Sequence, residues 1–359
     1  MTYKRLIYIA LRFTIGAIFL FSGFAKAIDP WGTAIKFGEY FTAMGLEAPE
    51  WSKFALSILL SGAEMGLGAS LLLGAWMKLS AFGVLCFMLF FTPLTLWVAV
   101  ANPVEDCGCF GDLFKISNWA TFWKNIVLLA MAILLFMLAW RERMSGALKF
   151  FGAFALSFAV GFYSLLYLPL IDVLPYKVGT SLSEAVRSGI AFDGEFETTL
   201  IYKNLQTGET KEFKLSDSEW QDETRWEFVD TRIVQSGSIR LLAEFSVFGQ
   251  YGDITEDIIS SSGRVYLLCL DRPAEVGASC RRRMTALAKA ALNNGDMVLG
   301  ITSSSISDPN LYLDGVQVPM YNMDTKAMKT MLRARYGMVV IENGTIVGKH
   351  NCRNINQKI

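Results

Sequence analysis

Two cysteines separated by one glycine, Cys107-Gly108-Cys109, lie within the stretch DCGCFGD at residues 106–112. Thiols this close can form a reversible disulfide, ligate a metal, or simply pack. A structural metal site needs about four donors. The chain has one histidine, His350, and its other cysteines are distant in sequence, so donors are scarce. The single histidine equally argues against a histidine-built zinc, haem or triad site. Glycine between the cysteines can take backbone angles that bring the two thiols within bonding range. A disulfide closing so small a ring is strained, hence oxidising and easily reduced. The flanking Asp106 and Asp112 disfavour the thiolate and argue against a strongly activated nucleophile. A redox pair with Cys107 and Cys109 as its catalytic thiols is the favoured reading, and two inert thiols remain the alternative.

Two charges stand where apolar sequence surrounds them, Arg12 in LIYIALRFTIGAIFLF and Glu64 in LSILLSGAEMGLGASLLL. A charge at mid-bilayer costs at least about 2.5–3.5 kcal/mol, so each needs a partner or a polar cavity. Their depths, counted from the ends of their apolar runs, are close enough for a pair. Arg12 and Glu64 are therefore expected to lie within reach of each other inside the bundle, as a structural ion pair or as a site for a quinone head group or a proton path; the alternative is that Arg12 snorkels inward while Glu64 is protonated. Phe110 and nearby span ends supply an apolar lip where a quinone would approach. Lys26, near the end of its run, reads as a snorkelling anchor. Gly62 and Gly66 flank Glu64 as a Gly-x-x-x-Gly step, which signals close helix packing.

These residues are carried by five apolar runs, Leu6–Ile28, Phe54–Ala75, Leu79–Ala101, Trp119–Ala139 and Leu148–Leu170. Each approaches or exceeds the ~20 residues that cross a bilayer. The whole chain of 359 residues is 53% hydrophobic and 18% charged, too apolar for a soluble protein of this size. Its 33 basic residues balance its 33 acidic ones, which argues against nucleic-acid binding. Lys4, Arg5, Lys78, Arg141, Arg143 and Lys149 gather in three short segments on one side, which predicts a cytoplasmic N-terminus. Five crossings then put residues 102–118 and everything after Ile171 outside, where disulfides persist. Trp31, Trp51, Trp97 and Trp119 lie near span ends as an aromatic belt, and residues 29–50 read as an interfacial helix bounded by Pro30 and Pro49.

Residues 172–262 carry short strand patterns, TTLIYKN and TKEFKL among them, joined by a Gln-Thr-Gly-Glu turn. From residue 263 the order is a buried strand VYLLCL, a helix over about 273–294, a strand MVLGITSS, a helix from Asp324 to Arg335, and a hairpin on Asn343-Gly344. This is a thioredoxin-like order of elements over residues 263–359, but without a Cys-x-x-Cys motif. Cys280 stands alone where such a motif would begin, and Cys280 and Cys352 read as inert thiols or as one disulfide.

FSGFAKAIDP, AEMGLGASLLLG and DCGCFGD together resemble the DoxX-like membrane family, and the cysteine motif resembles its methylamine-utilisation MauE branch. LPLIDVLPYKVGT at the junction is similar to the longer Bacteroidetes-type members with a thioredoxin-like tail. The resemblance implies an α-helical membrane bundle of about five transmembrane helices on a four-helix DoxX-like core, plus a C-terminal α/β thioredoxin-like soluble domain. The division is then 1–147 for the DoxX/MauE-like domain, 148–171 for the fifth helix and junction, 172–262 for the β-rich segment and 263–359 for the thioredoxin-like domain. MauE-type proteins are associated with disulfide maturation of a periplasmic partner, and the family is similar to the membrane disulfide carriers of the vitamin K epoxide reductase kind. The implied activity is quinone-linked thiol–disulfide redox in a bacterial inner membrane, with Cys107 and Cys109 catalytic and Arg12, Glu64 and Phe110 at a quinone. The alternative is a non-enzymatic membrane anchor or assembly factor whose tail binds a periplasmic protein.

Overall fold

The computed structural model describes residues 3–104, 106–113, 116–183, 197–204, 210–214, 225–234, 245–250, 252–306 and 308–355. It divides into two compact units, Met1–Leu174 with Leu332–Ala334, and Pro175–Met331 with Arg335–Ile359.

In the first unit every apolar run becomes a helix, because a backbone in hydrocarbon must satisfy its hydrogen bonds internally. These are α1 (Tyr3–Ile28), α2 (Pro30–Ala43), α3 (Glu50–Leu73), α4 (Met77–Ala101), α5 (Asn118–Ala139) and α6 (Ala147–Leu166). All but α2 are long and apolar enough to cross a membrane. The chain breaks between α1 and α2 at Asp29, whose carboxylate accepts the Gly32 N–H at 2.9 Å, with Pro30 in the first helical position. Gly74 ends α3 at φ +67°, and the Ser117 hydroxyl caps α5 through the Ala120 N–H.

The buried stripe of α1 runs Ile15, Phe19, Ser22, Gly23, Lys26, the spacing of one helical face. That face lies almost backbone to backbone on α3. A Cβ added at Gly23 would sit 2.3 Å from Met65 N, and one at Gly68 would sit 2.3 Å from Leu20 N. The Gly62/Gly66 step serves close packing as expected, taking the rings of Phe158 and Phe154 from α6. Ile15, Leu71, Val84 and Leu135 join α1, α3, α4 and α5 in one core. Trp51 and Trp119 are exposed as a belt requires, whereas Trp31 is buried edge-on against Phe54 at the start of α2. A short strand, β1 (Cys109–Asp112), lies between α4 and α5.

The second unit is a mixed α/β domain. A three-stranded antiparallel sheet orders β3 (Thr210–Lys214), β2 (Glu197–Asn204) and β4 (Trp226–Val234). The turn expected between β2 and β3 lies outside the described residues. The larger sheet contains β5 (Val247–Gly249), β6 (Gly252–Asp253), β7 (Arg264–Leu270), β8 (Met297–Thr302), β9 (Asn310–Leu313), β10 (Val316–Met323), β11 (Tyr336–Glu342) and β12 (Thr345–Asn351). Its order is β12-β11-β7-β8-β10-β5-β6, with β9 on β10. β7 and β8 are parallel and joined by the helix Ala278–Asn293, while β11 runs antiparallel to β7 and β12 antiparallel to β11. Asn343 and Gly344 turn the last hairpin at φ +50° and +70°, the positive angles that such a two-residue turn demands. Pro273 opens a short 3-10 turn rather than the helix, which starts at Ala278. Asp324 caps the next helix, which is shorter than its sequence pattern predicts and ends at Met331. Cys280 and Cys352, open alternatives in the sequence, are joined as a disulfide with Cα atoms 5.6 Å apart.

Candidate functional site

Ser22 and Lys26 stand one turn apart on the buried face of α1, and α3 presents Glu64 to them. Lys26 Nζ lies 2.8 Å from Glu64 Oε2, with both side chains almost wholly buried. The ammonium also donates to Ser22 Oγ at 2.8 Å and to the Cys109 carbonyl, which Ser22 Oγ reaches at 2.7 Å. Removing one member of such a pair strands the other charge, at about 3–5 kcal/mol.

The expected Arg12–Glu64 pair is therefore corrected to Lys26–Glu64. Arg12 donates to the Leu71 and Leu72 carbonyls at 2.6 and 2.8 Å, where a cation suits the negative end of α3. The reason is register. With Gly23 against Met65 and Leu20 against Gly68, antiparallel α1 and α3 bring Glu64 level with the end of α1 and Arg12 level with Gly74. α3 overshoots the end of α1, so its middle is not the middle of α1. The snorkelling role expected of Lys26 is corrected with it, since the ammonium is turned inward and buried.

The cysteine loop is tied to α1, α2 and α5. At its base Asn118 donates to Asn102 Oδ1 at 2.8 Å and to the Val104 carbonyl at 3.2 Å. From α2, Lys36 pairs with Asp106 at 3.2 Å and Tyr40 donates to the Cys107 carbonyl at 3.1 Å. The other oxygen of Asp106 accepts the Gly108 N–H at 2.9 Å, which fixes the turn in which Gly108 has φ +65°. α1 holds the Cys109 carbonyl, and α5 brings Thr121 Oγ1 to 3.4 Å from Cys107 Sγ.

Within this frame the two sulfurs are 2.8 Å apart, less than 1 Å beyond the ~2.05 Å of a disulfide bond. The hydrogen bond shared with Cys109 lowers the Cys107 thiol to about 6 against the opposing effect of burial, helped by Thr121, the Cys109 N–H and the Lys124 charge. Cys109 moves the other way, well above its ordinary range, because the shared proton stays with it and because it is buried. The two thiols share this hydrogen bond, so their titrations are coupled. The expectation that acids suppress the thiolate is corrected for Asp106, whose charge is taken up by Lys36 and the Gly108 N–H. The side chain of Asp112 lies outside the described residues. Burial foremost, then the neighbouring thiols, raises the Tyr40 phenol and keeps it a donor.

Both cysteines line a cavity of about 710 Å³ with Lys26, Glu64, Tyr40, Lys124 and Asn125 among its polar groups. The remaining wall is mostly aliphatic and aromatic, and includes the exposed Leu59 and Phe90. Cys107, Cys109 and Glu64 thus share one cavity. Arg12 and Phe110 are corrected out of it: Arg12 is spent on the α3 carbonyls, and the Phe110 ring lies against Phe21 at 5.8 Å and under Lys124 at 4.5 Å. Sequence reasoning missed Lys26, Lys36, Tyr40, Thr121 and Lys124. The signal for two of them was periodicity, because Lys26 continues the Phe19–Ser22 face and Asn118, Thr121 and Asn125 form a polar stripe on an otherwise apolar helix.

Residues 4–138 match the family described as methylamine utilisation protein MauE. Residues 196–235, which hold the three-stranded sheet, match a domain of unknown function, DUF8463. No curated protein and no solved structure matches the chain.

Proposed function

Residues 4–138 are a MauE-like membrane domain, and from that premise we propose that this multi-pass membrane protein is a thiol–disulfide oxidoreductase working through Cys107 and Cys109. The observation that carries the reading is the approach of the two sulfurs to 2.8 Å on the wall of a largely apolar cavity. A stabilised Cys107 thiolate favours the reduced pair, so the disulfide form is an oxidant.

A partner thiolate attacks Cys109 Sγ, and Cys107 departs as the better leaving group. The partner's second thiol then displaces Cys109, which takes up that thiol's proton. The partner is left oxidised and the pair reduced. A lipid-borne quinone restores the disulfide by accepting two electrons, with one proton from Cys109 and one from solvent. The cavity volume lies in the usual range for small-ligand sites, and exposed apolar side chains on its wall suit entry from the bilayer. Loops rich in Lys and Arg support an inner-membrane orientation with a cytoplasmic N-terminus and a periplasmic C-terminal domain.

Reduced protein in detergent, mixed with a short-chain ubiquinone, should consume one equivalent of quinone, read by ultraviolet absorbance. Cys107→Ser and Cys109→Ser should consume none, and equal consumption by these variants would overturn the assignment. One observation favours a second reading. Cys280, at the start of its helix, is tied to Cys352 rather than to a neighbouring thiol, so the soluble domain has no dithiol there to relay electrons. In that reading the thioredoxin-like tail docks a periplasmic protein and the membrane half anchors it.

A further inference from the structure

Lys26 bonds to the backbone of the cysteine pair, not to either sulfur, and its charge is matched by a carboxylate from another helix. Its ammonium reaches Glu64, Ser22 Oγ and the Cys109 carbonyl. Ser22 is bound to the same carbonyl, so one turn of α1 fixes the position of Cys109. We propose that Lys26 and Glu64 are positioning residues that hold this strand in register and, through the balance of their two charges, set how strongly the thiolate and the reduced pair are stabilised. The inference rests on the redox reading above and adds the device that tunes it.

The electrostatic surroundings make the balance sensitive. α1 presents Lys26 and α3 presents Glu64, α2 presents Lys36, Glu39 and Tyr40, the loop contributes Asp106, and α5 contributes Lys124. Lys36 already lies against Glu39 and Asp106, at 2.9 and 3.2 Å. Lys124 and Lys26 both lower the Cys109 thiol. Of these two cations, Lys26 is the one matched by a carboxylate at ion-pair distance among the described residues, so removing either member of that pair changes the local charge by one unit. A nearby charge favours or disfavours a thiolate according to its sign.

The test is the pH midpoint of Cys107 alkylation by iodoacetamide in the folded, detergent-solubilised full chain with the pair first reduced. Glu64→Gln leaves Lys26 unmatched, so the midpoint should fall by about one pH unit, a tenfold change in thiolate at a given pH. Lys26→Met leaves Glu64 unmatched, and the midpoint should rise by about as much. Lys26→Arg should hold it near the wild-type value. Equilibration of the Cys107–Cys109 disulfide with glutathione should move in parallel, towards the reduced pair in Glu64→Gln and towards the oxidised pair in Lys26→Met.

Should either single variant fail to fold, the double variant Lys26→Met/Glu64→Gln buries no stranded charge and should return close to the wild-type midpoint. A merely structural pair predicts shifts of one sign in both single variants, or none, and either result overturns the inference. So does a double variant displaced as far as a single one. Failure of the redox reading is seen separately, as a wild-type pair that never forms a disulfide, and the alkylation midpoints still decide the role of Lys26 and Glu64.

Discussion

Replacing Cys109 with alanine should convert Cys107 from a thiolate at neutral pH into a nearly ordinary thiol. In the native site Cys107 titrates at about 6 against an ordinary value of 9.0, and the hydrogen bond shared with Cys109 is the foremost cause. A hydrogen bond to a charged acceptor contributes about 1.5–3 kcal/mol, which corresponds to roughly one to two pH units. The Cys109→Ala midpoint should therefore lie near 7 to 8, with burial still raising it and Thr121, the backbone N–H of residue 109 and Lys124 still lowering it. The assay is the iodoacetamide rate at Cys107 in reduced protein from pH 4.5 to 9.5, read by intact mass. The native profile should be flat above about pH 7 and fall through pH 6, and the variant profile should still be rising at pH 8. The sign follows from the lowered value, since the thiolate persists down to pH 6 and is lost only as pH falls below it. A native midpoint near 9, or a midpoint unmoved by Cys109→Ala, would refute the shared proton.

Three further outcomes follow from the geometry. Gly108→Ala puts a Cβ at φ +65° and 3.2 Å from the Lys36 side chain; a left-handed non-glycine residue costs about 1–2 kcal/mol, so melting temperature should drop by a few degrees and disulfide closure should slow. Gly68→Leu forces a side chain into the α1 backbone, where a Cβ would be 2.3 Å from Leu20 N, and monodisperse protein should be lost in size-exclusion chromatography while Gly152→Leu, at a position with open space, leaves it intact. Breaking Cys280–Cys352, whose cysteines are 72 residues apart, should destabilise the second unit by about 4 kcal/mol, read by urea melts of Cys280→Ser with and without reductant; only the wild type should respond to reductant.

The parts of this molecule that obey periodicity were legible before any coordinates. Five runs of bilayer length gave five helices, and Asn343-Gly344 gave a hairpin, because each signal is local. The cysteine pair was legible for the same reason, since residues two apart are neighbours in any fold. Arg12 and Lys26 were not. Which buried carboxylate meets which cation depends on the offset between α1 and α3, set by glycines at 23 and 68 whose partners lie some forty residues or more away in sequence. The acidity of Cys107 was hidden likewise. Asp106 looks repulsive in a string of letters, and only the fold brings Lys36 from α2 to neutralise it and Thr121 from α5 to the sulfur.

The most direct test of the central claim counts thiols. Membrane-embedded protein with Cys107 and Cys109 intact is treated with a membrane-impermeant mass-tagged maleimide, before and after reduction, and again after reduction followed by oxidised quinone. The background is a variant in which Cys86 and Cys269 are serine, with Cys280–Cys352 left in place and its reduction monitored in a parallel Cys107→Ser/Cys109→Ser control. Redox cycling predicts no tag on Cys107 or Cys109 at the start, two after reduction, and none again after quinone. Two tags without reduction, unchanged by quinone or by an added disulfide, would contradict it and leave the membrane half an anchor.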